Sequence, residues 1–149
     1  MDDPKTICRR SIELIAEGEL EDFEAVTHPD FEHRDAPFAP PECHGQGPAA
    51  AYAAALWLRS AYADLRWEFH ALARQEDLVV ARCTMSGRHV GDFVEYGPDG
   101  RPRHVFPPTG REVAATQMHW FRLAGGKVVE HWDVLQVIPE RSENDNTMF

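Results

Sequence analysis

The chain has 149 residues, enough for one domain with a substantial buried core, and its 43% hydrophobic and 10% aromatic content excludes a disordered polypeptide. With 25 Asp and Glu against 15 Lys and Arg, the net charge of −10 argues against nucleic acid or an anionic membrane surface as main partner and favours a small molecule. No apolar run approaches the roughly 20 residues that span a bilayer, and Met1-Asp2-Asp3-Pro4 is not a basic segment followed by an apolar one.

Cys8, Cys43 and Cys83 are odd in number and far apart, with no Cys-x-x-Cys pair, so reduced thiols packed as small hydrophobes and a cytoplasmic location are expected. Asp3-Pro4 opens a helix over Lys5 to Gly18 with Ile7, Ile12, Leu14 and Ile15 on an apolar stripe. Glu19 to Val26 carries Leu20, Phe23 and Val26 at helical spacing, and His28-Pro29-Asp30 breaks it. Phe31 to Asp35 reads as a short strand, and the proline-rich stretch from Ala36 to Pro48 as a loop. Gly47-Pro48 opens a third helix over Ala49 to Ala63, with Leu56, Trp57, Ser60 and Ala61 available to pack on a sheet.

Beyond Asp64 the pattern turns to β. Leu65 to Ala71 alternates, Gln75-Glu76-Asp77 is a turn, and Leu78 to His89 is a long strand-like run. Gly91 to Pro108, built around Gly97-Pro98-Asp99-Gly100, is a surface excursion that is either a lid or a long hairpin end. Two further strands meet at the Gly125-Gly126 turn. This order of elements gives a single α+β domain over 1–138, in which three N-terminal helices pack on a strongly curved, antiparallel or mixed sheet shaped like a cone, followed by a polar tail over 139–149.

Side chains of a strand alternate between faces, so Arg111, Val113, Ala115, Gln117, His119 and Phe121 share one side. On the returning strand, counted from Val129, the matching set is His131, Asp133, Leu135 and Val137. Met118, Trp120, Val128, Trp132 and Val134 take the other side. One wall thus holds an amide, two imidazoles and a carboxylate among apolar neighbours. Both faces are greasy, which calls for a helix layer on one and a sheet or a second subunit on the other.

Several segments resemble the SnoaL-like polyketide cyclase and ester cyclase family, within the cystatin-like, nuclear transport factor 2-like cone fold. They are Gly47-Pro48 with the helix ending Trp57-Leu58-Arg59-Ser60-Ala61-Tyr62-Ala63-Asp64-Leu65, then Gly87-Arg88-His89-Val90-Gly91-Asp92-Phe93, Pro107-Pro108-Thr109-Gly110-Arg111, and Gly126-Lys127-Val128-Val129-Glu130-His131-Trp132-Asp133. The resemblance implies ring closure by intramolecular aldol condensation with neither metal nor organic cofactor. It implies an acid/base role for Asp133, with Gln117 and His119 lining the same pocket. It also implies a homodimer formed through the sheet, with Trp120 and Trp132 in the interface.

A free aspartate has a pKa of about 3.9, too low for a base acting on carbon acids, so the site is expected to raise it by desolvation; two units correspond to about 2.7 kcal/mol. Gln117 and His119 would polarise a carbonyl and stabilise the enolate. His33, His89 and His131 are further pocket candidates, and Trp57, Phe69 and Phe121 are candidate walls for a small apolar or polycyclic substrate. Isomerase, dehydratase and epoxide hydrolase chemistry would use the same base in an apolar hollow, and a non-catalytic carrier of hydrophobic ligands would need only the hollow. His119, His131 and Asp133 also form, on paper, a two-histidine, one-carboxylate metal set, a pattern common by chance on paired strands.

Overall fold

The structure is a computed structural model, and it describes residues 2–34 and 36–134. The expected tail over 139–149, with Leu135 and Val137, lies outside the described residues. Helix α1 spans Pro4–Glu17 with Pro4 in its first turn, where the fixed φ of proline suits a helix and its missing N–H costs nothing. Its apolar stripe buries Ile7, Cys8 and Ile12. Helix α2, Leu20–Val26, opens with a reciprocal capping box between Glu19 and Asp22 and buries Phe23 and Val26. The helix stops just before His28-Pro29-Asp30, and the chain enters strand β1 (Thr27–Arg34) at once, so that these three residues lie in the strand.

After one 3-10 turn at Pro41–His44, helix α3 runs over Gly47–Ala61. Gly47 has φ +73°, and an added Cβ would sit 2.8 Å from the Pro29 carbonyl oxygen, so this corner requires glycine. The face of α3 turned inward is made of small residues, Ala50, Ala55 and Ala61, all at most 1% exposed. Leu56, expected to pack on the sheet, is 47% exposed instead, because alanines let the helix approach closely and leave the longer side chain on the far side.

Strands β2 (Tyr62–Gln75), β3 (Leu78–His89), β6 (Glu112–Ala124) and β7 (Lys127–Asp133) join β1 in a five-stranded sheet of order β1-β7-β6-β3-β2. The β1–β7 pair is parallel and the others antiparallel, so the sheet is mixed. Strands β4 (Phe93–Tyr96) and β5 (Pro102–Phe106) form a separate hairpin, which is what the Gly91 to Pro108 excursion becomes. Register shifts in β2 and at the β6–β7 turn bend the sheet. The molecule is α+β, three helices lying on one face of a curved sheet.

The main core lies between the helices and that face, gathering Ile7, Ile12, Phe31, Val79, Phe121 and Val128. A second cluster, Ala61, Tyr62, Phe93 and Val113, sits where the hairpin meets α3. Val128 corrects the simple parity count. Arg122 pairs with Glu130 but Leu123 with Val128, so Val129 is an extra residue that resets the alternation, and Val128 turns inward. Cys8, Cys43 and Cys83 are all free and buried, and burial pushes their thiols up to about 12, 12 and 11, so they pack as inert small hydrophobes.

Candidate active site

β6 and β7 are antiparallel with His119 opposite Asp133 and Phe121 opposite His131, and β1 lies beyond β7 with His33 level with His131. Three strands therefore deliver His33, His119, His131 and Asp133 to the concave face beneath α3. They line a hollow of about 90 Å³ whose other walls include Trp57, Leu58, Trp67, Phe38, Phe93 and Ala115. A smaller apolar hollow of about 50 Å³ lies on the far side of His33 and His131, against Phe31, Phe121 and Val128.

The polar groups form a continuous chain. Trp67 Nε1 donates to Gln117 Oε1 at 3.0 Å, that oxygen is 2.9 Å from His119 Nε2, and His119 Nδ1 is 2.8 Å from His131 Nε2. His131 packs against His33 with the rings tilted by 33° and their centroids 4.8 Å apart, and His33 Nε2 lies 3.7 Å from Asp133 Oδ1. That last separation is an ion-pair distance, too long for a hydrogen bond. Both ring nitrogens of His33 and Oδ1 of Asp133 are buried with no hydrogen-bond partner, an unusual expense unless something else uses them.

Electrostatics correct one expectation. Burial is the largest influence on Asp133 and raises its pKa, but His33 beside it, with His131 and His119, outweighs burial and holds the carboxyl down at about 2. The acid stands ionised, not poised near neutrality. Burial lowers His119 to about 4 and holds His131 well below the ordinary imidazole value, so both rings are neutral near pH 7 and act on Asp133 as cations only in acid.

Gln117, His119, His131, His33, Trp57 and Asp133 all line the larger hollow. The role expected of His119 does not fit its contacts, however. Its two nitrogens face Gln117 and His131, which leaves it no free donor for a substrate carbonyl. Phe121 faces the smaller hollow and stacks on His131 with centroids 4.7 Å apart.

Phe69 lines neither hollow; it packs in the core under α1, beneath the Arg9 guanidinium. His89 is fully buried elsewhere: its Nδ1 accepts from the Thr109 N–H at 3.2 Å, and it anchors the Pro107 to Arg111 loop rather than a ligand. The paper metal set does not converge, since His119 and His131 point ring nitrogens at each other. Among the described residues no group of three or more His, Cys, Asp or Glu side chains is placed to hold an ion. Trp67 and Phe93 were not foreseen in the hollow. An indole on the inward parity of β2, level with Met85, was the available signal for Trp67.

The family profile of SnoaL-like polyketide cyclases matches residues 5–141. The chain belongs to that family. This SnoaL-like chain is 29% identical over 129 residues to the aklanonic acid methyl ester cyclase DnrD of Streptomyces peucetius, covering 85% of this chain and 80% of that one. It is 26% identical over 126 residues to the aklanonic acid methyl ester cyclase AcmA of Streptomyces galilaeus, covering 84% and 78%. Among solved structures it resembles TsrD from Streptomyces laurentii, with a TM-score of 0.68 at 24% identity over 90% of both chains. An NTF2-like protein from Burkholderia thailandensis superposes with a TM-score of 0.56 at 16% identity over 90% and 91%, so the fold is the NTF2-like cone. Among the described residues no helix is long and apolar enough to cross a membrane.

Proposed function

We propose that this chain is a cofactor-independent cyclase that closes a ring by intramolecular aldol-type condensation of a polyketide-like ester. The observation that carries this reading is the ionised Asp133 carboxylate, with an unpartnered oxygen, on the wall of an apolar hollow. Oδ1 takes a proton from the carbon α to a carbonyl, the resulting enolate carbon bonds to a second carbonyl carbon, and the new alkoxide takes the proton back from Asp133. Nothing is oxidised and no group leaves. The His33 ring, with neither nitrogen partnered, offers the side-chain N–H that steadies charge on a substrate oxygen, in place of His119.

The low pKa of Asp133 is conditional. It depends on His33 and the neighbouring imidazoles, whereas burial alone raises it. A substrate that displaces water and engages His33 leaves burial dominant, so the base strengthens as the site fills. A multi-ring ester exceeds the present hollow, so this reading requires the lining side chains Phe38, Trp57 and Phe93 to turn aside on binding.

The reading includes a cytoplasmic setting, supported by three unpaired thiols, and a homodimer formed through the outer face of the sheet, where Trp120 is 45% exposed. The assay is turnover of aklanonic acid methyl ester, the ester for which the relatives are named. Cyclised product is expected from the wild type, and Asp133→Asn is expected to lower kcat by about 10²–10⁴-fold. Binding of the ester without turnover by the wild type would mark a carrier of hydrophobic ligands instead.

A further inference from the structure

The run of hydrogen bonds behind the hollow can be read in one direction only. An indole N–H donates and never accepts, so the amide atom of Gln117 that faces Trp67 at 3.0 Å is its oxygen. The amide nitrogen is thereby turned to the Met85 sulfur, 3.5 Å away. The same amide oxygen lies 2.9 Å from His119 Nε2, and since it carries no proton, Nε2 must. On the other side of that ring, His119 Nδ1 and His131 Nε2 stand 2.8 Å apart and share one proton between them. A neutral His119 already protonated at Nε2 has a bare Nδ1, so His131 donates from Nε2 and its own Nδ1 is bare as well. His119 is 4% exposed and His131 8%, and burial at that depth disfavours the imidazolium that would break this logic.

We propose that Trp67 is a positioning residue: by orienting the Gln117 amide it sets both His119 and His131 as their Nε2–H tautomers. Trp67 stands on the edge strand β2, and the order passes through β6 to β7. There it reaches the His131 ring that packs at a tilt against His33, two residues from Asp133. Without the indole, the amide is free to rotate and offer His119 its nitrogen, which reverses every donor along the run. An active-site wall with one defined set of donors thus depends on a residue across the sheet from the carboxylate.

The test needs no substrate, so its outcome is separate from that of the cyclase reading. Long-range proton–nitrogen correlation spectra of the full chain, with ¹⁵N-labelled histidine at neutral pH, report which ring nitrogen carries the proton. For the wild type, Nε2 of His119 and of His131 are expected at protonated-type shifts and both Nδ1 at bare-type shifts. In Trp67→Phe, which keeps an aromatic ring but loses the N–H, the two nitrogens of His119 should move toward each other as tautomers mix. Gln117→Met, which removes the oxygen, should do the same. A wild-type His119 protonated at Nδ1, or at both nitrogens, would overturn the proposal, as would folded variants whose imidazole spectra match the wild type. Even if neither variant folds, a wild-type His119 bare at Nε2 is enough to overturn the proposal, because the Trp67–Gln117 arrangement then fails to set its tautomer.

Discussion

The side chains around Asp133 make acid stability a direct readout of the site. His119 titrates near 4 in the fold and near 6.5 once unfolded, so the unfolded chain binds the extra proton between those values. Its contribution is complete above about pH 6.5 and is lost as the pH falls toward 4, a change of about 3 kcal/mol. Asp133 has the depressed carboxylate pattern, about 2 folded against 3.8 unfolded, so its contribution holds above the unfolded value and is lost as the pH falls through 2. That loss is about 2 kcal/mol. Urea melts at stepped pH should show His119→Gln with a shallower slope from 6.5 to 4, and Asp133→Asn with a shallower slope only below about 4. An Asp133→Asn variant that kept the wild-type slope below pH 4 would mean that the carboxylate is not held by the imidazoles.

At the scale of elements, Arg59 shows how one side chain joins two helices. From the last turn of α3 its guanidinium donates to the carbonyls of Leu14, Ile15 and Gly18 at 2.7–2.8 Å, satisfying the open C-terminal end of α1. Arg59→Met should cost about 3 kcal/mol by denaturant titration, and Arg59→Lys should recover less than half, because one ammonium cannot serve three carbonyls in that geometry. Gly91 is a second such joint. An added Cβ would stand 2.1 Å from the Ser60 carbonyl oxygen, so Gly91→Ala should cost about 2 kcal/mol and loosen the β4–β5 hairpin before the main sheet.

The helices and long strands were legible because periodicity and caps are local. Placing Gln117, His119, His131 and Asp133 on one wall needed only alternation along two strands meeting at a tight turn. Val128 was misplaced because a single extra residue, Val129, leaves no mark in composition. The lowered pKa of Asp133 was invisible for a different reason: it depends on His33, a hundred residues earlier, brought alongside by a parallel pairing that no local pattern announces.

For the whole molecule, the hollow is bounded by parts that are not in the sheet. Trp57 donates its indole N–H to the Val94 carbonyl at 2.9 Å, and the Tyr96 N–H donates to the Phe38 carbonyl at 2.9 Å, so α3, the hairpin and the proline-rich loop are tied at one rim. Trp57→Phe removes the first tie and should speed amide exchange across β4 and β5 while leaving β3 and β6 protected. Equal protection in the two proteins would show that the hairpin is held by packing alone. The proposed dimer is tested at the same scale: Trp120→Glu should shift the sedimenting species to a monomer with the fold intact by circular dichroism.

The extra residue at Val129 has a consequence for how such chains can change length. It lets one short strand keep two beats, the half before it in time with the hydrophobic interior and the half after it in time with the reactive wall. Deleting that one valine would leave an unbulged strand with Val128, His131 and Asp133 still on one side, whereas deleting Trp132, where the pairing is regular, would turn Asp133 to the outer side. A loss of one codon at Trp132 would be felt as a transposition of chemistry, whereas the same loss at Val129 would be absorbed as a straighter strand and in the Gly97–Gly100 tip as a shorter loop.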